Sequence, residues 1–378
     1  MKKLFTTSLV ALASLILFAS LFTGCSKKSE LIPVNIKPIV YQTDNITVKV
    51  DPKLELLMIA LRLAEVEPFS HNDYGQEYSQ FVDGVDNLFA KQKDHPLVKD
   101  IKSRAKNYKE SYRSILAITQ YISDDMTQMT FKQKEMPKEL ESFWKGLNLK
   151  TFIAQFNDFA NASNYARIWT LYEPHLKRQA IAEQDFRNYN IKATDWISRY
   201  FFAPDSKPEF VCYSSTLTAG SYISLPLTEN NGKTVINFVA GAFWLKDNEW
   251  SQINSTLNIV ASYMYSMLEK HWDLLSEDLI RIIKKIYDEN QLTEKVTDYV
   301  ALTNSSYLFP IVCSLDSDFA KENEDIATAL KNVITSNYLF KDSDKLIALT
   351  EVYTSNRDTY PDFESFLVNY LPQAIKDL

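Results

Sequence analysis

Residues 250–272 limit the fold more than any other stretch of this chain. Apolar side chains recur there at Ile253, Leu257, Val260, Met264 and Leu268, the spacing that lines one face of a helix. Ile259, Tyr263 and Met267 add a second apolar side. A helix apolar around most of its circumference is stable only when enclosed. The spacing therefore predicts one long central helix with the rest of the body packed around it. The preceding Lys246-Asp247-Asn248-Glu249 supplies cap oxygens and negative charge for its N-terminus.

A small sheet leads into this helix. Phe210-Val211-Cys212-Tyr213, Tyr222-Ile223-Ser224-Leu225 and Thr234-Val235-Ile236-Asn237-Phe238-Val239 read as strands, and Asn230-Asn231-Gly232 is a hairpin turn. Far upstream, Ile46-Thr47-Val48-Lys49-Val50 alternates as a further strand. Asp51-Pro52 then offers a cap and a favoured first helical residue for a buried helix over 54–64. Between 76 and 374 the rest reads mostly as helix: 78–92, two over 97–124, 139–147, 149–159, 164–176, 179–189 and 194–202. Past the central helix come 274–288, 293–302, 327–337, 345–354 and 363–376. Only seven glycines suit long helices better than a turn-rich sandwich. The expected class is α+β, mostly α-helical, with a small antiparallel sheet beside the central helix. The 22 Phe, 21 Tyr and six Trp fit the filling of a helical core more simply than a carbohydrate- or peptide-binding cleft.

The N-terminus carries an address. Met1-Lys2-Lys3 precedes an apolar run from Leu4 to Phe22, and small residues lead to Thr23-Gly24-Cys25. This is a secretory signal of residues 1–24 with the lipobox arrangement, which predicts cleavage before Cys25 and acylation there, the palmitate-bearing anchor of an exported lipoprotein. Phe22 stands where Leu is usual. Residues 25–45 then form a lipidated tether and first strand, and 46–376 the body, with a helical part over 51–205 and a sheet and central-helix part over 206–376. Ser26 after Cys25 points to the outer membrane rather than the inner. No later apolar run reaches the ~18 residues a bilayer span needs. The chain's net charge of −7, more negative still once the two lysines of the signal are removed, argues against nucleic acid as a partner. Beyond Cys25 only Cys212 and Cys313 remain, and both a disulfide and two buried thiols fit an oxidising compartment.

Several local signatures recur in one order: Val50-Asp51-Pro52-Lys53-Leu54-Glu55-Leu56-Leu57 leading into Arg62-Leu63-Ala64, then Lys93-Asp94-His95-Pro96-Leu97-Val98. A hairpin feeding a long helix follows, and a terminal Tyr370-Leu371-Pro372. Together they resemble a family of secreted bacterial proteins with a zincin-like metallopeptidase domain, itself a domain of unknown function, many of whose members are lipoproteins. The resemblance spans roughly 46–376. It implies a central helix bearing His-Glu-x-x-His and a further acidic ligand from a following helix. Aligning Ile259-Val260 with the apolar pair before that motif puts Ala261 and Tyr265 at the two histidine positions and Ser262 at the glutamate. Glu294 is the best candidate for the downstream acid.

Such a zinc site needs three protein ligands and an open water position, with a carboxylate taking the proton from the bound water. Ala261 has no donor atom, Tyr265 is a neutral phenol near pH 7, and Ser262 is no base there. His71, His95, His175 and His271 include no local metal-binding pair. Asp316, Asp318, Glu322 and Glu324, like Asp342 and Asp344, lack the glycine and alternation of a calcium loop. Gly220 and Gly241 stand alone, so there is neither phosphate loop nor nucleophile elbow. The reading is a membrane-anchored binding or interaction module, a pseudoenzyme with no catalytic residues, no metal and no cofactor. Its partner is an extended peptide or protein, taken in a groove lined by Tyr263 and Tyr265 unless those side chains close it. The alternative is a peptidase or other hydrolase, metal-dependent or carboxylate-based, with non-standard site residues.

Overall fold

The computed structural model describes residues 36–42, 46–70, 76–107, 112–132, 148–189, 191–218, 221–241, 249–316, 328 and 343–377. Cys25 and the signal, the helices expected at 139–147 and 327–337, His71, the residues capping the central helix at 246–248, and Asp318, Glu322, Glu324 and Asp342 lie outside them.

The class is α+β, mostly helical, and the sheet is mixed rather than antiparallel. Strand β1 (Ile39–Gln42) pairs antiparallel with β2 (Ile46–Val50). β2 then lies parallel to β3 (Glu209–Ser214), and β3 parallel to β6 (Lys233–Ala240). β4 (Ile223–Ser224) and β5 (Thr228–Asn230) both pair antiparallel with β6, giving the order β1-β2-β3-β6-β4. The expectation of an antiparallel sheet followed from the visible hairpin. β2 and β3 are separated by many helices, the long crossover that parallel pairing requires, whereas β3 and β6 are joined through the short strands β4 and β5. Asn231 and Gly232 at the hairpin both have positive φ, 50° and 76°, the geometry whose twist matches that of the flanking strands.

After β2 the chain enters α1 (Pro52–Leu63), where Asp51 accepts the Lys53 N–H as N-cap and Pro52 stands at the first position. All twelve residues of α1 are buried, so this helix is an interior element. Next come α2 (Gln76–Phe89), α3 (Pro96–Asn107), the short α4 (Tyr112–Ala117) and α5 (Leu149–Ala162). Helices expected at 164–176 and 179–189 are one helix, α6 (Tyr165–Tyr189), which runs through Pro174. That proline sits on an exposed face, where a missing backbone donor is tolerated best. α6 packs on β1, β2 and β3, and α7 (Ile191–Phe201) returns the chain to the sheet.

The central helix is α8 (Glu249–Lys270), against β4 and β6; His271 separates it from α9 (Trp272–Glu289). α10 (Asp298–Asp316) packs along both, starting later and running longer than the sequence suggested. α11 (Ser343–Ser355), α12 (Phe363–Asn369) and α13 (Leu371–Ala374) close the body. In α8 every residue from Ile259 to Leu268 is buried, which is the enclosure the spacing demanded.

Residues 35–378 form one compact unit, and the parts 51–205 and 206–376 share its core. The aromatic residues are largely that core: Phe201 meets Tyr263 at 5.5 Å and Phe363 at 5.3 Å, and Tyr353 meets Phe366 at 5.3 Å between ring centroids. Arg357 clamps the group, donating to the carbonyl oxygens of Phe202 and Pro361. Among the described residues no helix is long and apolar enough to cross a membrane.

Candidate functional site

The middle of α8 is where the sequence placed a degenerate metal motif. Ala261 and Tyr265 are four residues apart and so share a helix face, which continues one turn on to Glu269. Ser262 and Ser266 form the adjacent row. Ala261, Ser262, Tyr265 and Ser266 are all buried.

Facing them is Arg113 of α4, itself buried. Its guanidinium carbon lies 3.6 Å from the centroid of the Tyr265 ring, a stacked cation–π contact shielded from water. Nη1 donates to both carboxylate oxygens of Glu269 at 2.9 Å. Nε donates to the Ser224 carbonyl at 2.8 Å, and Nη2 reaches the hydroxyls of Ser224 and Ser266 at 3.3 Å each. Burial works against the guanidinium's charge, but Glu269 more than offsets it and holds the group firmly protonated. Burial likewise drives the Tyr265 phenol up, against the pull of Arg113, so it stays neutral.

The same cluster fastens the sheet's edge to the helix. The Ser224 hydroxyl donates to the Ser262 carbonyl at 2.8 Å, and Ser266 donates to the Leu225 carbonyl at 3.2 Å. Gln120 and Asn237 both donate to the carbonyl of Pro226, at 3.3 and 3.1 Å. Three consecutive carbonyls along this edge, those of Ser224, Leu225 and Pro226, are therefore already engaged. An added peptide strand would need such groups. Tyr263 and Tyr265, expected to line or to close a groove between edge strand and helix, are both buried. Tyr265 lies under Arg113, and Tyr263 points into the aromatic core against Phe201 and Phe202.

The residues do not fit a catalytic zinc. Ala261 offers no donor, and the Ser262 hydroxyl is engaged by its own helix, donating to the Asn258 carbonyl at 2.9 Å. The nearest added charge is a cation. Glu294 is not drawn in: it lies exposed in the connection between α9 and α10, and Tyr299 of α10 is what approaches Tyr265, at 6.5 Å between centroids. The acid at the site is Glu269, on the helix itself.

The described histidines are scattered. His95 accepts the Leu97 N–H at the start of α3 and meets Asp158 at 3.1 Å, His175 stacks on Phe81 at 4.4 Å, and His271 meets Glu364 at 2.8 Å. Among the described residues no group of three His, Cys, Asp or Glu side chains is arranged to hold a metal ion. Cys212 in β3 and Cys313 in α10 are two separate buried thiols, so the disulfide alternative is not realised.

Sequence reasoning missed Arg113, Ser224 and Ser266. Glu269 was within reach, because it repeats the four-residue step from Ala261 through Tyr265. Nothing local marks Arg113, whose partners lie far along the chain. Comparison with known proteins adds no relative: no family model, no curated protein and no solved structure matches this chain.

Proposed function

We propose that this protein is an exported, lipid-anchored binding module whose body keeps the layout of a zincin-like peptidase without its catalysis. The observation that carries the reading is Arg113. A guanidinium stacked on Tyr265 and paired with Glu269 fills the space beside the helix face where a metal and its water would have to sit. A fixed positive charge there repels a metal ion, and the neighbouring side chains supply neither a suitable ligand nor a base. A parallel sheet core bordered by a short antiparallel edge strand, with β6 leading toward the long helix, supports the peptidase kinship.

With the edge carbonyls engaged, the partner, an extended peptide or a protein, docks on the outer surface and not in the former cleft. The anchor is the acylated Cys25, which holds the body at the cell envelope, on the outer membrane.

Zinc titration by calorimetry, run beside a general peptidase assay on the purified protein, tests the central claim. No zinc uptake at micromolar concentration and no cleavage are expected. Stoichiometric zinc together with peptide cleavage would establish the rival reading, a hydrolase with non-standard residues. Replacing Cys25 with Ser tests the anchor separately, and should move the chain from the membrane fraction to the soluble one and abolish labelling by radioactive palmitate.

A further inference from the structure

The start of α1 holds three carboxyl groups and two ammonium groups, and the pairing leaves one acid over. Lys49 pairs with Asp51 at 2.8 Å. Lys53, itself buried, pairs with Asp124 and donates to the Ile122 carbonyl at 3.2 Å. Glu55, one turn after Asp51 and 3% exposed, has no cation among the described residues. Its hydrogen bond is to Ser215, the residue that follows β3, and its Oε1 has no hydrogen-bond partner among the described residues. The Tyr165 hydroxyl at the start of α6 is likewise buried without a partner, close enough for Glu55 to influence its titration.

The elements around α1 offer no compensation. Asp51, the nearest charge in sequence, is of the same sign. Arg62, two turns further along α1, is bound to Asp86 of α2 at 2.6 Å. His95 at the start of α3 faces Asp158, and Arg113 of α4 faces Glu269. A bare carboxylate in such a place would bear the full penalty of desolvation.

We propose that Glu55 is carried as a neutral carboxylic acid, and that the contact between the first turn of α1 and the end of β3 is stable only while it is. Alkaline conditions leave a bare charge in that contact and weaken it. The carboxyl's affinity for its proton is consistent with this: burial, followed by the opposing Ser215 hydrogen bond and then Asp51, leaves its pKa at about 8 instead of 4.5. The sign is fixed by that direction. A pKa raised on folding gives a contribution that is complete below the unfolded value and is lost as pH rises through the folded one.

The test uses the full chain, with its glutamates labelled at the side-chain carboxyl carbon, beside the E55Q variant. The ratio of the wild-type unfolding constant to that of E55Q should rise about tenfold per pH unit between roughly 4.5 and 8, then level off. Taking the ratio removes every other titrating group. The Glu55 carbon should titrate near pH 8, well apart from the remaining glutamates. A flat ratio, or a Glu55 resonance already that of a carboxylate at pH 6, overturns the proposal. If E55Q does not fold, the wild-type carbon titration decides alone.

Discussion

Arg113 gathers an ion pair, a cation–π contact and hydrogen bonds to a strand carbonyl and two hydroxyls into one buried side chain. Truncating it strands the Glu269 carboxylate, whose side chain is only 27% exposed, and frees the Ser224 carbonyl. Breaking a buried pair from one side costs about 3–5 kcal/mol, whereas removing both partners costs less than the sum. R113A is therefore expected to lose about 3 kcal/mol in denaturant unfolding, and R113A/E269A to recover part of it, with a coupling of about 1–3 kcal/mol. Additive losses in that cycle would deny the pairing its part in closing the cleft. R113K should also be destabilised, since an ammonium cannot bind the carboxylate and the strand carbonyl with one planar fork. The residue scale also shows what a sequence conceals. Ala261, Ser262 and Tyr265 could be judged unfit for metal from their chemistry alone. That an arginine fills their neighbourhood depends on a tertiary approach with no local signature.

At the scale of elements, the crossing of α2 and α6 has a tolerance that can be measured. A Cβ on Gly84 would stand 2.3 Å from the Tyr172 hydroxyl oxygen, and Tyr172 is held edge-on to Phe81 at 5.1 Å. Alanine should gain about 0.5–1 kcal/mol in helix propensity, but overpacking costs about 1–3 kcal/mol. The clash wins. G84A is expected to be less stable by thermal unfolding, and Y172F, which removes the offending oxygen, to restore part of the loss. His175 makes the same crossing sensitive to acid. Burial, with Arg178 second, lowers its pKa from 6.5 to about 4. A depressed pKa gives stability that is present above the unfolded value and fades as pH falls through the folded one, here from about 6.5 to about 4. H175F should flatten that part of the acid stability profile, and an unchanged slope would remove His175 from it. The reliably legible elements were those with local grammar: Asp51-Pro52 opening α1, Asn231-Gly232 turning the hairpin, and the apolar stripes of α8. The break expected between 176 and 179 is absent because Lys177 and Arg178 lie on an exposed helix face, and a polar pair there reads as a joint in sequence. The parallel pairing of β2 with β3 was not legible, since alternation reports a strand but not its neighbour.

The whole molecule is tied together by strands from distant parts of the chain. Ile46, Val48 and Val50 of β2 are 1%, 0% and 0% exposed, and their parallel partner is Phe210–Tyr213. The parts 51–205 and 206–376 therefore interlock within one core. Two fragments, 36–205 and 206–377, are each expected to lack a cooperative calorimetric transition, and their mixture to regain one. A sharp transition in either fragment alone would mark it as an autonomous domain after all. The last elements belong to the same core: Phe363, Phe366, Leu367, Leu371 and Ile375 are each 0% exposed.

The same arrangement has a consequence for manufacture. A chain made from its N-terminus delivers β2 long before β3 exists to flank it. Until Glu209–Ser214 emerges, β1 is the one strand paired with β2 among the described residues, and the edge that β3 will take stays open. That open edge is the segment a holding chaperone would cover during synthesis, until the later strands arrive.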